Sequence, residues 1–171
     1  MWGANMKTTI KRLSCVLMAA VLLVALCACG GSGDGKLSEK DYLAKVTEIS
    51  TSISDITNSG MGDVDQSDPQ AMLDASKDML DKMRPLYEEL GGLQAPDKFA
   101  DAQSKIKAGC DANLKVLDLS VELYEIALDP DVSDADKQAK ALELTEEMTS
   151  LTDTVSDFAE GLTEVLTAAA K

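Results

Sequence analysis

An all-α fold, an up-down-up-down four-helix bundle with its third and fourth helices longer than its first and second, is what this sequence predicts. Three observations carry that prediction. From Leu37 to Lys171 apolar residues recur three and four positions apart, which places them along one face of a helix. Short clusters of Gly, Pro, Asp and Ser punctuate the pattern at intervals suited to four helices. No run alternates with the period of a strand, and aromatic residues, which strands favour, make up 4 % of the chain.

The first helix is expected to begin at Ser38, with Asp41 three residues on and Leu37 placed to pack over Tyr42. Tyr42, Val46, Ile49, Ile53 and Ile56 form its apolar stripe, and the stretch Asn58-Ser59-Gly60-Met61-Gly62 ends it. The second opens with Asp68 as cap and Pro69 in the first helical position, where a missing N–H costs nothing. Its inner face runs through Met72, Leu73, Ser76, Met79, Leu80, Met83, Leu86, Tyr87 and Leu90, and Gly91-Gly92 stops it. Pro85 lies inside that pattern and predicts a kink near Asp81 to Pro85. The third opens at Ala95-Pro96 and runs to about Leu128, before Pro130. The fourth has Ser133 as cap and Asp136 in the capping-box position. It continues without interruption through Ala141, Leu144, Met148, Leu151, Val155, Phe158, Leu162, Val165 and Ala169.

The N-terminal region has a different grammar. Lys7, Lys11 and Arg12 precede an uncharged apolar stretch from Leu13 to Leu26, shorter than the ~20 residues that a membrane span needs. Met6 stands immediately before the first lysine and reads as the natural start. Leu26-Cys27-Ala28-Cys29 then places a Leu three before, and a small residue one before, Cys29. Cys27 does not fit the same pattern, because Leu26 would occupy the small-residue position. This segment resembles the processing signal of bacterial lipoproteins, and the whole chain looks like the small helical lipoproteins of Gram-positive bacteria. Leu93-Gln94-Ala95-Pro96, opening a long helix, is the one local cue beyond the leader.

The resemblance implies a signal peptide over residues 1–28, cleavage before Cys29, and acylation of that cysteine at a new N-terminus. Residues 29–36 then hold the lipidated Cys and a Gly/Ser tether, and residues 37–171 form the bundle domain. Two or three acyl chains, at ~0.8 kcal/mol per buried CH₂, give stable anchoring. The membrane contact is through this anchor, at the extracytoplasmic face of the cell membrane. An even number of helices returns the chain to its tethered end. With the first two helices about 30 Å long and the last two about 50 Å, the tip around Asp129 to Asp136 projects away from the bilayer.

Charge limits the partners. Removing Lys7, Lys11 and Arg12 from a formal charge of −14 leaves −17 on the processed chain. That balance disfavours nucleic acid and direct adhesion to an anionic bilayer, and it suits basic partners or cations. Of four cysteines, Cys15 and Cys27 leave with the leader and Cys29 is acylated. Cys110, at a core-type helical position, is expected to be buried and inert, with no disulfide partner.

Catalytic chemistry finds little support. The chain has no histidine, which removes Ser-His-Asp and Cys-His catalysis and the usual His-bearing metal sites. A carboxylate di-metal centre in a bundle needs Glu-x-x-His pairs. Met72, Met79 and Met83 read as core filling, and no cofactor is expected. Asp63 and Asp65 in one loop, and Asp129 and Asp131 in another, have the alternating oxygen spacing of a calcium loop. Both lack the Gly at the sixth position, and turn formation or helix capping explains them as well.

Helix four also carries an acidic row from Glu143 to Glu164 and a hydroxyl row from Thr145 to Thr167, read as solvent-facing borders of the core. The far half of the third helix is apolar on two sides. Leu114, Leu117, Val121, Tyr124 and Leu128 make one stripe; Ala112, Val116, Leu119, Leu123 and Ile126 make another. Such a helix needs cover on most sides, from the shorter helices or from outside. Val116, Leu119, Leu123 and Ile126 are the candidate interaction surface. The function expected is non-enzymatic: an accessory or assembly factor of an envelope complex, working through a protein partner or a second copy. The alternative is a small-ligand-binding lipoprotein with an apolar cavity between its helices.

Overall fold

The computed structural model describes residues 35–60, 64–65 and 67–170. They form an all-α four-helix bundle: α1 (Glu39–Gly60), α2 (Pro69–Gly92), a 3₁₀ turn (Asp97–Phe99) leading into α3 (Ala100–Leu128), and a fourth helix in two pieces, α4 (Asp134–Ser150) and α5 (Thr152–Ala169). No strand occurs among the described residues.

The expected caps form. Ser38 Oγ accepts from the Asp41 N–H at 3.2 Å and donates to the Asp41 carboxylate at 2.6 Å. Asp68 accepts from the amides of Gln70 and Ala71 at 2.9 and 3.3 Å, with Pro69 next in line. Ser133 accepts from the Asp136 N–H at 3.3 Å. Each satisfies amides that the first helical turn leaves without partners. α2 runs through Pro85 as one element, with Pro85 exposed, so the donor that it lacks is missing on the outer face.

The fourth helix departs from expectation. Its apolar spacing is unbroken, yet a turn at Leu151 separates α4 from α5, and the Leu151 N–H reaches the Met148 carbonyl at 3.2 Å. Hydroxyls crowd the residues before the break. Thr145, Thr149 and Ser150 donate to carbonyls of the preceding turn at 2.7, 2.8 and 2.7 Å, competing with the backbone ladder where the helix breaks.

α5 packs on α3 and α1, whereas α4 packs on α3 and meets α5 at the joint; α2 joins α1 to α3. The core holds Tyr42, Val46 and Ile49 from α1, Leu80, Met83 and Leu90 from α2, Ile106 and Leu114 from α3, and Val165 from α5. α4 contributes nothing to this cluster; its single buried residue, Leu144, lies outside it.

Two glycines set how closely α3 and α5 approach. A Cβ on Gly109 would stand 2.1 Å from Phe158 Cβ, and one on Gly161 would stand 2.8 Å from the Ala102 carbonyl oxygen. Phe158 thereby reaches past α3 to meet Tyr87 edge-on, with ring centroids 6.1 Å apart.

The end where the described chain enters the bundle is closed by a polar knot. Tyr42 donates to Gln103 Oε1 at 2.7 Å, and Gln103 Nε2 donates to the Leu90 carbonyl at 2.9 Å, so α1, α2 and α3 are joined in the interior. Tyr42 also stacks on Phe99 with centroids 5.4 Å apart. The Leu37 N–H bonds to the Gln94 carbonyl at 2.9 Å, fixing where the chain enters the bundle.

Burial has an alkaline consequence. It pushes the Cys110 thiol up from 9.0 to about 12, with the Asp111 charge adding to it. Burial and Glu164 push the Tyr42 phenol up from 10.0 to about 12. Both groups stay neutral in the folded chain and ionise first in the unfolded one. Their stabilisation is complete below pH ~9 and declines as pH rises through ~9–12. Thermal melts across this window should fall steadily, and less steeply for Cys110→Ala. A melting temperature flat from pH 9 to 12 would contradict the burial of both groups.

Candidate functional site

The open feature of the bundle lies in its far half, on α3. At 100° per residue, Ser120 sits between the two apolar stripes of this helix. α2 covers the stripe of Leu114 and Val121, both buried. α4 covers the other: Lys115 pairs with Glu147 at 3.0 Å on one flank, and Ser120 Oγ lies 3.9 Å from Met148 Sδ on the opposite flank. Between these covers a groove of about 260 Å³ opens, lined by Ser76, Met79, Leu117, Ser120, Leu123 and Tyr124. α1, which would close the bundle here, packs on α2 and α5.

The groove is uncharged and mostly methyl and methylene. Its two serine hydroxyls donate to carbonyls of their own helices, Ser76 to Met72 and Ser120 to Val116, each at 2.8 Å. Ion pairs line the other edge of the α2–α3 seam, since Asp118 and Glu125 fall on the side of α3 away from Ser120: Arg84 pairs with Asp118 and Lys77 with Glu125, both at 2.7 Å. These are exposed pairs worth at most about 1 kcal/mol each, so they set register more than stability.

The candidate interaction residues are placed unequally. Leu119 is buried at 1 % exposure and Val116, Leu123 and Ile126 are half-buried, so the four are not an open patch; they form the ground on which α4 sits. Leu123 alone of the four also lines the groove. The apolar pattern marked this helix as needing cover from the shorter helices or from outside, and α4 supplies part of it. α4, which precedes the one-residue interruption at Leu151, lies over this stripe. Met83 is core, while Met79 faces the groove.

The acidic loops act as turns. Asp65 accepts from the Ser67 amide and hydroxyl at 2.9 and 2.6 Å, and this holds its carboxyl below the usual range. Asp129 accepts from the Asp131 amide at 2.8 Å. Asp63 lies outside the described residues, as do Cys29 and the whole leader. Among the described residues no three His, Cys, Asp or Glu side chains gather as a metal would require, and no helix is long and apolar enough to cross a membrane.

The hydroxyl rows of the first and fourth helices are largely exposed, and several members donate to carbonyls of their own helix, as with Thr47 to Leu43, Thr57 to Ile53 and Thr163 to Ala159; Ser50 Oγ is buried without a partner. The acidic residues of the fourth helix are exposed, with Glu160 paired to Lys105 at 3.0 Å. Cys110 is buried at 1 % exposure against Gly91, as its position suggested. Gln103 was missed, although its spacing from Phe99, Ile106 and Cys110 put a polar residue on the core face.

No protein-family model, curated protein or solved structure matches this chain.

Proposed function

We propose that the protein is a lipid-anchored extracytoplasmic bundle that works by protein–protein contact, as an accessory or assembly factor of an envelope complex. The observation that carries this reading is the separation of its two ends. The chain enters beside the closed Tyr42–Gln103 knot, where the tether from Cys29 would attach, while the apolar groove opens in the opposite half. From Gln103 to Ser120 the rise along α3 is about 25 Å. An anchor at one end would hold the groove clear of the bilayer and available to a neighbour.

A photo-crosslinking residue in place of Tyr124, used in the native envelope, tests the contact. Adducts should form from Tyr124 and not from a control at exposed Glu88, near the closed end. Equal patterns from both positions would remove the reading.

The groove volume also supports a second reading, a binding protein for a small uncharged ligand. Thermal melts against fatty acids, peptidoglycan fragments, metabolites and cations separate the two. A ligand at 100 times its Kd adds ~2.7 kcal/mol of stability, an evident shift in the melt. The contact reading predicts no specific shift, and a ligand that gives one would replace it.

A further inference from the structure

The bundle is electrically polarised along its length, and the polarity coincides with the groove. The antiparallel pairing of Lys45 with Glu89, Arg84 with Asp118 and Lys137 with the Ala127 carbonyl fixes which residues share a level. At the tethered end, residues 36–45, 91–107 and 160–170 hold six carboxylates and six lysines, an even balance. At the far end, residues 53–60, 64–78 and 122–140 hold eleven carboxylates and three lysines. Asp65, Asp68, Asp129, Asp131, Asp134 and Asp136 belong to this end, on the loops and first turns beyond the groove, and all but the half-buried Asp129 are exposed. Leu142 on α4, 61 % exposed, stands level with Tyr124, because Ser120 is opposite Met148 and Ala127 opposite Lys137.

An apolar channel under a strongly negative rim is the complement of one common ligand shape: a helix with apolar residues along one face and lysine or arginine on the other. The groove would receive side chains at i, i+3 and i+4, and the carboxylates would meet the basic face. Charge of this kind speeds encounter and selects partners more than it adds affinity. We propose that the far end of the bundle docks a basic amphipathic helix of a protein partner, with its apolar face in the Met79–Leu117–Leu123–Tyr124 groove. This rests on the contact reading above and names the chemistry of the partner.

The test uses the full chain in nanodiscs of neutral lipid, with empty discs as blank. Fluorescence anisotropy follows three synthetic helical peptides: Leu on one face with Lys elsewhere, the same Leu face with Glu elsewhere, and the Lys pattern with Ala replacing Leu. Only the Lys/Leu peptide should bind, with affinity falling as salt rises. Asp129→Asn, Asp131→Asn and Asp134→Asn together keep the turn and cap geometry, since Asn serves those roles as Asp does. This triple variant should weaken binding about tenfold and flatten its salt dependence. Met79→Gln should weaken it at every salt concentration, with circular dichroism confirming the fold. Equal binding of the Lys/Leu and Glu/Leu peptides, or unchanged affinity in both variants, would overturn the proposal. If the basic peptide fails while Tyr124 crosslinks persist, the assignment of a basic helix is wrong and the contact reading stands.

Discussion

Gly109→Ala is expected to destabilise the bundle, although alanine is the better helix former. Alanine in a helix interior gains about 1 kcal/mol over glycine. Against that, the new methyl would lie 2.1 Å from Phe158 Cβ and 2.6 Å from its Cγ. These atoms are the root of the side chain, so a rotamer change does not move them away and α5 itself must shift. Overpacking of this kind costs about 1–3 kcal/mol and sometimes more; with α5 itself forced to move, the cost lies at the upper end of that range and the net loss expected is about 2 kcal/mol. Gly161→Ala acts on the same seam from the facing helix, where the obstacle is the backbone oxygen of Ala102 at 2.8 Å. A double-mutant cycle identifies the mechanism. In a Phe158→Gly background, which removes the Cβ as well as the ring, Gly109→Ala should cost little or gain stability, giving a coupling of at least about 1 kcal/mol by chemical denaturation. Additive effects of the two substitutions would place Phe158 elsewhere.

Gln103→Leu is the second large effect, and it works by removing partners. Leucine leaves the Tyr42 hydroxyl and the Leu90 carbonyl facing the interior without the bonds at 2.7 and 2.9 Å. A buried polar group stripped of its partner costs about 1–3 kcal/mol; the Tyr42 hydroxyl loses its bond outright while the Leu90 carbonyl keeps a long one from the Leu93 N–H at 3.5 Å, so the predicted loss is about 2–4 kcal/mol. That is a large part of the 5–15 kcal/mol that ordinarily holds a domain together. Tyr42→Phe should cost less, since it orphans Gln103 Oε1 alone. The double variant should be more stable than the two single losses predict when added. A Gln103→Leu protein with an unchanged melting temperature would mean that the knot does not close this end.

These two sites show how far sequence reasoning reached. Helix number, order, caps and inner faces were legible because each has a local signature: Ser38 with Asp41, Asp68 with Pro69, Ser133 with Asp136, and apolar spacing between them. What was not legible depends on pairs remote in sequence. Gly109 and Gly161 look like tolerated interruptions until their helices face each other. Gln103 looks like one polar residue among several. The break at Leu151 carries no Gly or Pro; the hydroxyls that compete with the ladder there read equally well as a solvent-facing row. α4, on the near side of that interruption, covers the stripe of Leu119, which pattern alone left in need of a partner.

The candidate site was half legible for the same reason. Two apolar stripes on the third helix announced that this segment needed unusual cover. Which stripe was covered, and by what, followed from where α2 and α4 run. The groove between them gathers Ser76 and Met79 with residues 117–124, a grouping set by helix register. Charge polarity is present in the sequence, but it becomes spatial only when the loops at 64–68 and 129–133 fall at the same end.

The anchored, contact-making reading depends most directly on Cys29. The protein should be expressed in a bacterium with its leader intact, recovered from the membrane fraction, and digested for mass spectrometry. The N-terminal peptide should begin at Cys29 and carry a diacylglycerol, and Cys29→Ala should leave the leader uncleaved. An unmodified Cys29 within a longer peptide, in protein recovered from the soluble fraction, would contradict that reading.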